Sequence, residues 1–153
     1  SAGGMIMAKV AELARERVGR LVFADALALF DGEKIRDIVT RPASINTDIS
    51  LGPSREDAGG RLLKSLDPEI GNWALDRVTL NPILVFTQAV KLPKFWDQEW
   101  DADVIWCPQA ENPGEAHQRR AADRLKARWH VIDTGHYPML STPDELTRII
   151  LGN

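Results

Sequence analysis

The chain has 153 residues, 44% of them hydrophobic and 27% charged, which is enough to build one core, so we expect one domain or part of one. The formal net charge is -3, and basic and acidic residues are interleaved, which argues against a nucleic-acid partner. No apolar run approaches the roughly 18 residues that span a bilayer, so we expect a soluble, cytoplasmic protein without a membrane partner, and an upstream signal is compatible with this expectation.

The first segment combines a serine, small residues and an amphipathic pattern. After the opening SAGG we predict a helix, because apolar residues recur at helical spacing: Ile6, Val10, Leu13 and Ala14. Residues 21–26 are typical of a buried parallel strand, with Asp25 near its end. A serine placed between strand and helix among small residues indicates the S-x-G half of a nucleophile elbow. By itself, a terminal SAGG is also typical of a cloning remnant or a frayed tail.

The middle of the chain differs in composition. Prolines and glycines interrupt residues 27–100 and separate short predicted helices at 55–65 and 72–80. We interpret this segment as a helical lid that leaves a sheet and returns to it. The chain then divides into three parts of one incomplete domain. Residues 1–26 form the elbow helix and its strand, residues 27–100 the lid, and residues 101–153 the C-terminal strands and loops.

Strand signals return after the lid. Strands are predicted at 103–107 and 129–133, separated by a loop at 108–114 and a helix at 115–127. The final helix is predicted to begin near Thr142, where a threonine cap, a proline and two acids suit a helix N-terminus. This order of elements predicts an α/β fold with a parallel sheet.

One histidine has a position suited to catalysis. His136 follows the last predicted strand, and open α/β sheets assemble their sites at the C-terminal ends of strands, so we predict it as a general base. The alternative is a surface histidine in a turn. His117, His130 and the lone Cys107 are interpreted as structural. No pair of potential ligands has metal-binding spacing, so we predict neither a metal nor a cofactor.

Four stretches, taken in chain order, resemble an α/β-hydrolase over its C-terminal two thirds. They are SAGGM, ERVGRLVFADA, FTQAV and GHYPMLS, and they are similar to the small esterase branch that includes plant methyl-salicylate esterases and hydroxynitrile lyases. The resemblance implies a serine hydrolase with an acyl-enzyme, in which Ser1 is the nucleophile, His136 the base and the amide of Ala2 an oxyanion-hole donor. It also implies that the early strands and a second oxyanion donor lie upstream of Ser1.

Two carboxylates are candidates for the acid of the triad. The family usually places an aspartate in the loop at 108–114, and Glu111 is the only carboxylate there in this chain. Asp25 is the competitor, because some α/β-hydrolases take their acid from that earlier strand end. We prefer Glu111, since its loop should lie beside the histidine loop at the same sheet edge. The alternative interpretations are a solvated loop charge for Glu111 and a turn cap for Asp25.

The predicted reaction is hydrolysis of a small hydrophobic ester, lactone or amide, because aromatic lid residues indicate an apolar pocket. A hydroxynitrile lyase is disfavoured, since those relatives have a lysine directly after the histidine and this chain has Tyr137. The absence of a loop aspartate leaves a non-catalytic ligand-binding relative as the alternative.

The three predicted strands leave an unpaired apolar edge where a strand leading into Ser1 should lie. We therefore expect a heterodimer with a companion polypeptide of roughly 70–100 residues, given that such domains can reach about 250 residues. Autoproteolysis just before Ser1 is one origin for this arrangement, and a truncated or divided polypeptide is the other.

Overall fold

A computed structural model describes residues 1–39 and 43–152. The N-terminal part forms a helix, a 3₁₀ turn and a strand: α1 (Gly3–Leu13), the turn (Arg15–Arg17) and β1 (Leu21–Ala24). The predicted helix after the serine and the predicted first strand are both confirmed. The strand ends before residue 26 because Asp25 adopts a left-handed backbone conformation, with φ of 43°.

The segment after β1 contains both helices and a small sheet. Its elements are α2 (Ile35–Ile38), β2 (Ile45–Asn46), β3 (Ser50–Gly52), α3 (Arg55–Asp57), a π-helical turn (Ala58–Leu62), α4 (Pro68–Leu75), β4 (Asn81–Pro82), α5 (Ile83–Thr87) and a 3₁₀ turn (Phe95–Asp97). Strands β2, β3 and β4 form an antiparallel sheet. The segment predicted as a helical lid therefore also contains a small sheet, which has no counterpart in the prediction because strands of two or three residues carry no periodic signal in the sequence.

The predicted lid helix at 72–80 is displaced toward the N-terminus. Helix α4 begins at Pro68, because the Asp67 carboxylate accepts a hydrogen bond from the Glu69 amide at 2.9 Å and proline suits the first helical position. The helix ends at Leu75. The sequence carries this signal in the pair Asp67-Pro68, which suits a cap followed by the first helical residue.

The C-terminal part alternates strands and helices as predicted. Its elements are β5 (Ala102–Trp106), α6 (Glu115–Leu125), β6 (Arg128–Val131), α7 (Pro138–Ser141) and α8 (Pro143–Leu151). The prediction that the Thr142 side chain caps α8 is wrong, because that side chain makes no capping hydrogen bond. Its hydroxyl donates instead to the Pro138 carbonyl at 3.3 Å, because the short helix α7 ends directly before it.

The main sheet has three parallel strands in the order β1-β5-β6. Helices α1 and α6 cover one face, where they pack around Phe23 and Val104. Helix α8 covers the other face, where Leu146 packs against Ile105 and Ile132. The central strand β5 is buried along most of its length because both faces are covered. Among the described residues, no helix combines the length and apolarity that crossing a bilayer requires.

The buried face of α1 is formed by small residues. Gly4, Ala8 and Ala11 face the core, and a Cβ at Gly4 would lie 2.4 Å from the Leu27 carbonyl oxygen, so the helix approaches the loop after β1 very closely. The larger apolar side chains lie on the outer face and are 53–73% exposed: Ile6, Val10 and Leu13. The amphipathic pattern therefore marks a stripe that the rest of the described chain leaves uncovered.

A buried carboxylate joins the N-terminal ends of the main strands. Asp103 of β5 is fully buried, and it accepts hydrogen bonds from Arg20 Nε at 2.7 Å and from Arg128 Nε at 2.8 Å. Its Oδ1 also lies 2.7 Å from His130 Nε2. Burial raises the pKa of Asp103, but the hydrogen bonds from Arg128, His130 and Arg20 outweigh it and lower the pKa to about 2. His130 therefore has the structural position that the sequence indicated.

We expect Asp103→Asn to lower the free energy of unfolding at neutral pH by about 1–3 kcal/mol, because three donors lose a charged acceptor. The folded-state pKa of about 2 lies below the usual value of 3.8. The stabilisation is therefore present above the unfolded-state pKa and is lost as the pH falls through the folded-state pKa. Urea denaturation measures the free energy of unfolding of the unmodified protein and of Asp103→Asn. The difference between the two free energies should become smaller as the pH is lowered from neutral toward about 2.5.

Asp101→Asn is the matched control. Asp101 pairs with the same Arg128, at 2.6 Å, but its side chain is 51% exposed, so its loss should cost clearly less. Equal losses for the two variants at every pH would contradict the role assigned to Asp103.

Candidate active site

Asp25 lies at the C-terminal end of β1, and it is fully buried. Its amide still donates to the Ile105 carbonyl at 2.9 Å, which holds the left-handed turn against the neighbouring strand. The carboxylate Oδ1 accepts a hydrogen bond from Gln118 Nε2 at 3.1 Å and a longer one, 3.4 Å, from the Cys107 amide. Oδ2 remains for a different partner.

That partner is His136, in the loop after β6. Its Nδ1 lies 2.5 Å from Asp25 Oδ2, and its side chain is only 11% exposed. A carboxylate at Nδ1 selects the neutral tautomer that carries its proton there, which leaves Nε2 able to accept a proton. The ring of Tyr137 stands edge-on at 5.1 Å from the imidazole, and burial raises the pKa of its hydroxyl. The pair has the orientation that a general base requires.

The sequence-based preference for Glu111 over Asp25 is corrected by this geometry. Glu111 Oε2 lies 3.8 Å from Arg61 Nε of the lid, and its side chain is 43% exposed. Arg61 in turn donates to both carboxylate oxygens of Asp57, at 2.9 and 2.8 Å. Glu111 and His136 do line one cleft of about 10 Å³, so the two loops are neighbours as expected. The carboxylate against the imidazole is nevertheless that of Asp25, because the turn after β1 directs a buried side chain to this point.

Ser1 lies at the same sheet edge. Its backbone nitrogen donates to the Asp25 carbonyl at 3.1 Å, and its carbonyl accepts from the Leu27 amide at 3.0 Å. These two bonds have the pattern of a parallel ladder, with Ser1 opposite Ala26, two residues beyond the end of β1. Helix α1 begins two residues later. The serine therefore stands between strand-like pairing and a helix, as the elbow interpretation predicts.

The Ser1 hydroxyl and the His136 imidazole are not in hydrogen-bond contact in this structure. No hydrogen bond joins the Ser1 hydroxyl to His136 within residues 1–39 and 43–152. Ala2 is the N-cap of α1, so its amide is among the groups that a helix leaves without an internal partner. Apo sites often tighten such contacts only when substrate binds, so the missing bond does not argue against the serine.

Helix α6 supports the turn after Asp25. His117 Nε2 accepts a hydrogen bond from the Ala28 amide at 3.0 Å. Burial, with the Arg120 charge nearby, lowers the pKa of His117 to about 4 and keeps the ring neutral, as this bond needs. Burial likewise raises the pKa of the Cys107 thiol to about 12, so it stays protonated. Both side chains have surroundings that fit the structural roles predicted for them.

Gln118 is the site residue that sequence analysis missed. It sits in a charged, amphipathic helix, where a single glutamine carries no signal of its own. Only the packing of α6 on the sheet brings it to Asp25. Within the part of the chain that the structure describes, no group of three or more His, Cys, Asp or Glu residues could hold a metal.

Gly135 positions the histidine loop beneath the lid. A Cβ at this position would lie 2.2 Å from Ser65 Oγ and 3.1 Å from Ser65 Cβ, so a larger residue would displace the Ser65 side chain from this close approach. The cleft beside His136 is accordingly narrow, and it is lined by lid residues and by the loop after β5: Arg61, Leu62, Ser65, Gln109, Ala110, Glu111 and Asn112.

Solved structures show the same architecture. An extracellular α/β-hydrolase from a Paenibacillus species matches with a TM-score of 0.76 and 13% identity, over 98% of this chain and 67% of that one; its description reports homology to tobacco salicylic acid binding protein 2. This chain has the α/β-hydrolase fold. A methylesterase from Arabidopsis gives a TM-score of 0.78 at 15% identity, covering 99% of this chain and 65% of that one.

A mutant of polyneuridine aldehyde esterase gives a TM-score of 0.75 at 16% identity, with 99% of this chain and 68% of that one covered. The chain thus spans about two thirds of the length of these proteins. No protein-family model matches the sequence, and no curated protein sequence matches it. The α/β-hydrolase resemblance drawn from four sequence stretches is confirmed at the level of the fold.

Proposed function

We propose that this chain carries the catalytic triad of a serine hydrolase, with Ser1 as nucleophile, His136 as base and Asp25 as acid. The observation that carries the proposal is the contact of 2.5 Å between His136 Nδ1 and the buried Asp25 carboxylate, at the sheet edge where Ser1 precedes α1. A buried carboxylate that orients an imidazole beside a serine turn is the arrangement of an acyl-transfer site.

The reaction follows from these positions. His136 Nε2 takes the proton of the Ser1 hydroxyl as the oxygen attacks the substrate carbonyl, and it returns that proton to the leaving alcohol or amine. The amide of Ala2 donates to the developing oxyanion. Water then attacks the acyl-enzyme with the imidazole again acting as base. Asp25 stays ionised and stabilises the imidazolium that forms in each half of the reaction.

The substrate class is a hydrophobic ester, lactone or amide. An apolar cluster includes Ala2 itself and packs Met5, Val85 and Phe86 around Leu27, so an acyl group on Ser1 would meet an apolar wall. Other aromatics of the segment serve packing: Phe95 and Trp100 stack at 5.2 Å between centroids and are buried. The similar structures named as esterases favour an ester.

A non-catalytic relative is the competing function. The reason to consider it is the absence of an aspartate in the loop after β5. Asp25 presents a carboxylate to His136 from a different loop, which counts against this alternative. A hydroxynitrile lyase remains disfavoured because Tyr137 follows the histidine.

Ser1→Ala and His136→Ala should each lower ester turnover by about 10⁴-fold or more in the complete protein, because the triad acts as a unit. Labelling by a fluorophosphonate probe should be lost in Ser1→Ala. Hydrolysis of an aryl ester, followed by absorbance, measures the first effect.

Ser44→Ala is the control, since it removes an exposed lid hydroxyl that bonds Asp57 at 2.8 Å and should leave turnover unchanged. A folded Ser1→Ala protein that keeps most of its activity would refute the assignment. An unmodified protein that neither turns over esters nor reacts with the probe would favour the non-catalytic function.

Asp25→Asn should lower kcat by about 10⁴-fold, because an amide cannot select the productive imidazole tautomer or stabilise the imidazolium. Glu111→Gln should change kcat far less, since Glu111 lies against Arg61 of the lid. Both changes conserve side-chain shape, and circular dichroism checks that both proteins fold. Loss of activity in Glu111→Gln with activity retained in Asp25→Asn would reverse the assignment.

We also propose that a companion polypeptide completes the sheet. Ser1 bonds to Asp25 and Leu27 in a parallel pattern directly beyond the end of β1, so a strand leading into a serine at this place would lie beside β1. The apolar stripe on α1 is uncovered by the described residues, with Leu13 73% exposed. About one third of each matching structure lies outside the part that this chain covers.

A denaturing gel with native mass measurement on the active protein tests this proposal. We expect two species, one of 17.0 kDa and one smaller, that travel together under native conditions. A single species of that mass with full activity would refute the need for a partner. A single longer chain would refute a separate polypeptide and place the strand upstream in the same molecule.

A further inference from the structure

A buried glutamine contacts the proposed triad acid from outside the triad. Gln118 is fully buried on α6, a helix that otherwise presents several charged side chains to solvent. Its Nε2 donates to Asp25 Oδ1 at 3.1 Å. The preceding residue on the same helix, His117, holds the Ala28 amide at 3.0 Å. Two consecutive residues of α6 therefore form hydrogen bonds to the Asp25 carboxylate and to the backbone three residues after it.

The orientation of the glutamine is determined by its partner. An ionised carboxylate only accepts hydrogen bonds, so the amide nitrogen must face Asp25 and the oxygen must face away. Among the described residues, Gln118 Oε1 is buried without a hydrogen-bond partner. An unpaired buried acceptor is unfavourable for folding, and an apolar side chain of similar shape would avoid it. The glutamine therefore has a feature that stability alone does not explain.

We infer that Gln118 is a positioning residue that acts through Asp25. Its amide occupies Oδ1 and so turns Oδ2 toward His136 Nδ1. Among the described residues, the only other donor to Asp25 Oδ1 is the Cys107 amide, and its distance of 3.4 Å is longer. This inference rests on the proposed triad, and it adds a residue that neither touches substrate nor exchanges a proton.

The chemical consequence follows from the charge on Asp25. A donor to an ionised carboxylate favours the ionised form, and loss of that donor makes protonation of the Asp25–His136 pair easier. The acid limb of the pH dependence of kcat/KM should then move to higher pH. A carboxylate free to rotate would also present Oδ2 to the imidazole for less of the time, which lowers kcat and leaves KM nearly unchanged.

Gln118→Met tests this inference in the complete protein, because methionine keeps the length of the side chain without a donor. We expect kcat to fall about 10-fold and the acid limb to move up by about half to one pH unit, the scale of one hydrogen bond to a charge. The unfolding temperature should fall only modestly, because the buried Asp25 carboxylate loses one donor while the unpaired acceptor of the glutamine is removed with it. Gln118→Leu should give the same three results.

Leu125→Ala is the matched control on α6. Leu125 is buried in the apolar core that α6 forms with the sheet, so this change should lower the unfolding temperature without moving the pH profile. If the glutamine variants lose stability and keep the original pH profile, or fail to fold, Gln118 is structural and the inference is wrong.

A second readout separates this inference from the proposed function. The Nδ1 proton of an imidazole bonded to a carboxylate gives a strongly deshielded proton resonance, and it can be recorded in a Ser1→Ala protein that has no turnover. We expect Gln118→Met to shift or broaden this resonance and Leu125→Ala to leave it in place. An unshifted resonance in Gln118→Met would overturn the positioning role even if the triad is correct, whereas failure of the triad would appear only in the Ser1 and His136 variants.

Discussion

The burial of the Asp25 carboxylate constrains the whole C-terminal edge of the sheet. An ionised carboxylate without access to water is strongly unfavourable unless charges or hydrogen-bond donors surround it. Its partners come from three different elements: Gln118 of α6, the Cys107 amide after β5 and His136 after β6. Because these elements must converge on one side chain, the loops at this edge have little freedom to adopt other arrangements.

The main sheet has a buried aspartate at each end, and the two carboxylates have different hydrogen-bond partners. At the N-terminal end, Asp103 is bonded to two arginines and a histidine, which hold its pKa at about 2 and lock it as an ion pair. At the C-terminal end, Asp25 receives amide donors and a single imidazole. The first arrangement serves stability. The second leaves a ring that can accept and release a proton, which is what catalysis at the strand ends of an α/β sheet requires.

The lid is joined to the site by close packing and by charge. Ser65 approaches Gly135 closely, and Arg61 bridges from Asp57 toward Glu111 on the loop after β5. These contacts place the lid directly over the histidine loop and leave only a narrow cleft beside His136. Glu111 therefore belongs to the lid contact, although it occupies the loop in which an acid was expected.

The sequence by itself determined the order of elements, the parallel strands and the two reactive candidates. Helical spacing after the opening serine, the apolar runs at 21–26 and 103–107, and the histidine after the last strand all depend on neighbours within a few residues. The short strands of the lid escaped prediction because two or three residues carry no periodicity.

Only the tertiary structure decided which carboxylate meets the imidazole. Both candidate loops lie at the same edge of the sheet, and the choice depends on a left-handed turn at Asp25 that directs its side chain inward. The contact between Gln118 and Asp25 could not be predicted from the sequence either, because these residues are 93 positions apart in the chain. Local pattern reports which face of a helix or strand is apolar, whereas the meeting of two side chains across a sheet depends on the packing of every element between them.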